Sequence, residues 1–163
     1  MAVQVYNPKK VKVYIDGKEI TGFSPDSKLS IVPGGEGTNK QIGTDGEVVW
    51  SIDVDDTFNI ELTLLQSSQS NDYLSNMYKN FKENGVTRRI MIKDLMGSTV
   101  FSASQCCPQK YAEAEFQKTA TSRKWTLFTG PAKNINIGGA NKNYTNIPFL
   151  NNNQIDISKT ILY

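Results

Sequence analysis

Histidine is absent from this chain of 163 residues, which removes the commonest general base and metal ligand at neutral pH. Cysteine occurs only as the adjacent pair Cys106-Cys107. Their Cα atoms stand about 3.8 Å apart across a trans peptide, short of the usual disulfide range. Two buried or half-buried thiols are therefore expected, and a zinc site would want four ligands. With no nucleophile–base pairing either, the inventory argues against an enzyme and calls for no metal or other cofactor.

Long apolar runs are missing as well. No stretch reaches the roughly 20 residues of a membrane span. The amino terminus has no apolar core of signal-peptide length ahead of Lys9 and Lys10, so synthesis and use without export are expected. Neither sign of charge dominates: 18 Lys and Arg against 16 Asp and Glu leave +2, and bulk charge makes no case for a polyanionic partner. The length suits one domain with a real core.

What the chain does have is alternation. Val48, Trp50, Ile52 and Val54, then Phe58, Ile60, Leu62 and Leu64, occupy every second position. The intervening set is Val49, Ser51 and Asp53, then Asn59, Glu61 and Thr63. A period of two means extended strands with one dry and one wet face. Trp50, Ile52, Phe58, Ile60 and Leu62 are expected in the core, and the wet face reads as acidic and hydroxylated.

Around these strands, Val11–Ile15, Asp16-Gly17 and Lys18–Thr21 spell a hairpin with a strong turn signal, and Lys28–Val32 a third strand. Residues 33–46 carry glycines at 34, 35, 37, 43 and 46 among polar residues, and read as an exposed arm between two strands. No Gly-Lys-Ser/Thr and no helix follow Gly34 and Gly35, so this is no phosphate loop.

One helix is expected over about residues 69–84. Ser68 or Ser70 would cap it, Asp72 suits its first turn, and Gly85 ends it. Tyr73, Leu74, Met77, Tyr78 and Phe81 form one apolar stripe, and Leu74, Tyr78 and Phe81 join the expected core. Strands follow at Val86–Lys93, Ser98–Ser104 and Lys124–Thr129, with Trp125 in the core and a short strand around Tyr111–Phe116. From 133 to 163 the chain turns Asn-rich with single apolar residues such as Ile135, Tyr144, Phe149 and Ile157. Disordered segments are usually poorer in such residues, so this extension is expected to lie along its own domain or a neighbour. The plan is mainly β: an antiparallel sandwich or barrel of about eight strands with one helix packed against it, over 1–132, then the extension.

The order of these pieces resembles the tail tube proteins of contractile-tailed phages and related phage-tail-like bacteriocins. The likeness rests on Val13–Phe23, an opening hairpin followed by Gly-Phe, and on Gly43–Glu47. It continues through Asn59–Ser75, whose Gln-Ser-Ser-Gln-Ser-Asn-Asp-Tyr-Leu-Ser run is the most specific element, and is completed by Asp94–Gly97 and Lys124–Gly130. The resemblance implies a subunit of six-fold rings whose inner strands join into a continuous β-barrel. Rings would stack into a hollow tube within a contractile sheath, in a virion tail assembled in the host cytoplasm. Sheath, baseplate and tail terminator proteins would be its partners. DNA, or ions in a bacteriocin, would pass through without specific binding.

On that expectation Ser51, Asp53, Asn59, Glu61 and Thr63 line the lumen. Two carboxylates in each of six copies would give about twelve negative charges per ring, repelling DNA within the Debye distance of about 8 Å. Gly34, Gly35, Glu36, Asn39, Lys40 and Asp45 would make contacts between subunits and rings. The exposed helix face (Lys79, Lys82, Glu83) would meet the sheath. Two rivals remain: a ring protein of type VI secretion, and a β-sandwich binding module using Trp50 and Trp125. The second is disfavoured because both Trp sit on the apolar phase of their strands.

Overall fold

The computed structural model describes residues 6–26 and 29–139. Within them the chain forms a 3-10 turn (Pro8–Lys10), ten strands and one helix. The strands are β1 (Val11–Ile15), β2 (Lys18–Glu19), β3 (Leu29–Pro33), β4 (Thr38–Ile42), β5 (Val48–Ile52) and β6 (Phe58–Leu65). Helix α1 (Ser70–Asn84) precedes β7 (Arg88–Asp94), β8 (Val100–Pro108), β9 (Ser122–Thr129) and β10 (Asn134–Asn136).

Every strand pair is antiparallel. The main sheet runs β2-β1-β7-β8-β9-β6-β3, with β10 added to β8. The β1–β2 turn places Asp16 at φ 54° and Gly17 at φ 83°, the doubly left-handed pair that matches the twist of a tight hairpin. Strand β8 changes partners along its length. Val100–Ser102 lies against β10 and β7, and a register shift follows before Cys106–Pro108 pairs with β9. That shift bends the sheet and lets its two halves face each other in a sandwich-like arrangement. Val13 and Ile15 of β1 thereby share one core with Ile60, Leu62 and Leu64 of β6, Ile90 and Ile92 of β7, Phe101 of β8, and Trp125 and Leu127 of β9. Each aliphatic side chain removed from water here contributes about 1.5–3 kcal/mol.

Helix α1 closes the core with Leu74 and Met77; Tyr73, Tyr78 and Phe81 flank them half-buried. Gly85 ends the helix at φ 67°, its N–H donating to the Phe81 carbonyl at 2.8 Å. The start differs from expectation. The N-cap is Gln69, which makes no side-chain cap. Ser68 accepts instead from the Ser70 N–H (3.2 Å) and donates to the Thr21 carbonyl (2.6 Å), while Ser70 accepts from the Thr21 N–H (3.0 Å). Ser68 thus serves the first helical N–H, and both serines fasten the helix to the segment after β2.

Two further expectations are corrected, on the arm and on the strand before β9. Residues 33–46 are not all loop, since β4 lies within them and pairs with β5 from Thr38↔Ile52 to Ile42↔Val48. Tyr111–Phe116 forms no strand: its alternation of Ala and Glu has little to bury, and it crosses the surface as an extended loop. Strand β10 joins the sheet from within the Asn-rich stretch. The remainder of that extension, from residue 140, lies outside the described residues.

Candidate assembly surfaces

The β4–β5 hairpin stands apart from the main sheet as a separate two-stranded ribbon. Its register puts Ile42, Val48, Trp50 and Ile52 on one face with Thr38 and Lys40, and Asn39, Gln41, Val49 and Ser51 on the other. The alternation read from sequence is therefore real, but the described residues leave its apolar side uncovered. Trp50 is 68% exposed and Ile52 82%, with Ile42, Val48, Val49 and Val54 exposed beside them. The expectation that Trp50 and Ile52 belong to the core is overturned, and with it the burial argument as it was made for Trp50; Trp125 is buried in the core as expected. Period two reports that a face is apolar, not that the chain buries it. Phe58, also expected in the core, is half-buried, in an edge-to-face contact with Phe101 (centroids 5.2 Å apart).

A lone two-stranded hairpin is marginal in water, so its root is held by other means. Gly34 donates to the Thr57 carbonyl at 2.8 Å, and Asp53 N–H to the Gly37 carbonyl at 2.7 Å. The Asp53 carboxylate accepts from the Glu36 N–H at 2.8 Å and the Asp55 N–H at 3.1 Å. Asp55 in turn accepts from the N–H and the hydroxyl of Thr57 (2.9 and 2.6 Å). Gly35 has no alternative here, since a Cβ would stand 2.7 Å from both Asp53 Oδ2 and the Asp55 carbonyl. The Glu36 N–H above all, then that of Asp55, holds the Asp53 carboxyl below the usual carboxylate range. Asp53 thus sits in the neck of the hairpin. Glu36 and the exposed Asn39, Lys40 and Asp45 lie along the same projecting unit.

The second surface is the hydrated side of the main sheet. Asn59, Glu61 and Thr63 of β6 lie half-buried opposite the core phase of Ile60, Leu62 and Leu64. Rows run across β3, β6 and β9: Val32–Asn59–Phe128 and Ser30–Glu61–Thr126, then Thr63–Lys124 on β6 and β9. Lys124 Nζ lies 3.6 Å from Glu61 Oε2. That exposed pair is worth at most about 1 kcal/mol, but it offsets the acidic charge that alternation alone suggested. Ser51 and Asp53 are not on this sheet, so the structure gathers only three of the five expected lining residues on one face. Nothing in a single sequence aligns β9 with β6, so Lys124 could not be placed there.

Cys106 is buried and Cys107 half-buried, both unbridged, as the inventory suggested. Burial, with some help from the neighbouring thiol, pushes Cys106 up to about 12, and burial raises Cys107 as well. Neither is an activated thiolate. Among the described residues no group of three or more acidic or cysteine side chains is placed to hold a metal, and no helix is long and apolar enough to cross a membrane.

Two solved structures share this fold. One is the cap that terminates the tube of the anti-feeding prophage, at TM-score 0.56 and 16% identity over 82% of this chain and 93% of that one. The other is the sheath/tube terminator of an extracellular contractile injection system, PVC, in its extended state. It matches at TM-score 0.53 and 17% identity over 81% and 98% of the two chains. No curated protein matches the chain significantly by sequence. A family model does, over residues 24–137, a span that includes the hairpin, the hydrated sheet face and the helix: the chain belongs to the bacteriophage PhiTE tail tube protein family, a structural component of a phage tail.

Proposed function

We propose that this chain is the repeating subunit of a phage tail tube, closing into six-fold rings that stack into a hollow conduit inside a contractile sheath. The observation that carries the reading is an apolar hairpin face left open to water on a tail tube family member. Monomeric proteins rarely expose contiguous apolar patches beyond a few hundred Å². A heterologous contact that closes by rotation buries such a patch in every copy and yields a ring.

In this reading the hairpin reaches a neighbouring subunit or ring, and the face bearing Asn59, Glu61 and Thr63 lines the lumen. That wall is hydroxylated and nearly charge-balanced rather than strongly acidic. DNA slides past it because the wall offers no run of unpaired cations to condense on. Sheath, baseplate and terminator proteins are the partners, and Lys79, Lys82 and Glu83 on the outer helix face suit the sheath contact.

Negative-stain microscopy of the purified chain tests this directly. Tubes or stacked rings are expected on concentration, and a protein that stays monomeric at every concentration refutes the reading. A second reading, a terminator that ends the tube, draws support from the two solved structures of similar fold. Single rings that bind tube ends and never stack would favour it.

A further inference from the structure

The core side of β9 begins in a charge. Arg123 shares the inward phase of Trp125, Leu127 and Thr129 and is only 8% exposed, yet among the described residues no carboxylate pairs with it. Nη1 donates to the Glu115 carbonyl at 3.3 Å and to the Thr121 hydroxyl at 2.8 Å. Nε and Nη2 have no hydrogen-bond partner among the described residues, on a group that keeps its charge at any physiological pH. Phe116, 80% exposed, lies over the guanidinium with its ring centroid 5.3 Å from Cζ. An arginine stacked under an exposed ring, with in-plane donors unused, suits a carboxylate arriving edge-on beside an apolar group.

We propose that this corner receives the tip of the β4–β5 hairpin from a second copy, Glu47 meeting Arg123 while Phe116 meets the hairpin's apolar side chains. The inference rests on the assembly reading above and names the receptor that reading lacks. Charge complementarity selects the occupant. The tip Thr44–Glu47 holds two acids, Asp45 and Glu47, and no base; it is exposed, and neither acid is ion-paired among the described residues. Its strands of five residues carry that tip about 17 Å beyond the neck, long enough to cross onto a neighbour.

The test pairs Glu47→Cys with Phe116→Cys in one chain, both at exposed positions. Assemblies under mild oxidation should then give disulfide-linked multimers about tenfold above either single variant, as expected for thiols held at high effective concentration. Assemblies that form normally with no excess cross-linking overturn the receptor and leave the arm's role standing. If the double variant does not assemble, Phe116→Ala decides. It should raise the concentration needed for assembly about tenfold, and an unchanged threshold overturns the proposal. A wild-type chain that forms neither rings nor tubes instead removes the assembly reading, and this inference with it.

Discussion

Asn71 shows how much one polar side chain organises. Its Nδ2 donates to the Leu65 carbonyl (2.9 Å) and the Ser68 carbonyl (3.0 Å), and its Oδ1 accepts from Trp125 Nε1 (3.0 Å). It joins the end of β6, the start of α1 and a core indole. Asn71→Ala leaves the largely buried indole N–H and two carbonyls without this partner, and should cost about 1–3 kcal/mol, read as a lower midpoint in urea at unchanged slope. The surrounding Gln66–Ser70 run behaves alike. Gln66 Oε1 accepts from the Thr121 N–H at 3.0 Å, and Ser68 and Ser70 grip Thr21. The stretch on which the sequence resemblance leaned most is therefore a junction between elements. Its composition announced a helix start, but its true partners, 47 to 55 residues away in the chain, are set by the fold.

Asp53 is the residue whose role changed most between sequence and structure. Its carboxylate is held charged by neck N–H groups, so its folded pKa lies below the unfolded one. The sign follows from linkage: its contribution is complete above the unfolded value of about 3.9 and fades as pH falls through the folded value. Amide exchange in β4 and β5 should therefore speed up selectively as pH drops below about 4, after correction for intrinsic rates. Asp53→Asn, which cannot offer two charged acceptors, should show the loosened hairpin already at neutral pH. Equal protection in both proteins at pH 7 would deny the neck its clasp.

At the scale of elements, β5 and β6 make the instructive comparison. Both alternate, and a sequence reading assigns both dry faces to one core. Strand β6 lies between β3 and β9 and buries Ile60, Leu62 and Leu64 completely. Strand β5 pairs, among the described residues, only with β4, and all five of its residues are exposed. Substituting Trp50 and Ile52 together by Ser should change the stability of the isolated chain by no more than about 0.5 kcal/mol, as for surface positions. It should nevertheless abolish assembly seen by sedimentation or electron microscopy. A large loss of thermal stability in the monomer would mean that the hairpin is covered by its own chain after all.

For the whole molecule, the bend at β8 turns a seven-strand path into a closed core while leaving strands β2 and β3 at the ends of the sheet. Unpaired edges are a hazard for an isolated protein, and a ring of copies offers a way to cover them. The apolar hairpin poses the same problem in another form. On the assembly proposed above, surfaces unfavourable in one copy become favourable between copies.

Sequence alone determined the mainly antiparallel β class, the β1–β2 hairpin, the helix and its Gly85 stop, the unbridged thiols and the core phase of β6. These are local: period, turn chemistry and capping act within a few residues. Tertiary structure decided that Trp50 faces water, that Asp53 clasps a neck, that Lys124 offsets Glu61, and that Arg123 lies buried with no acid paired to it among the described residues. Each of these depends on which strands become neighbours. Alternation records that one face of a strand is apolar, whereas only the packed chain settles whether that face is buried.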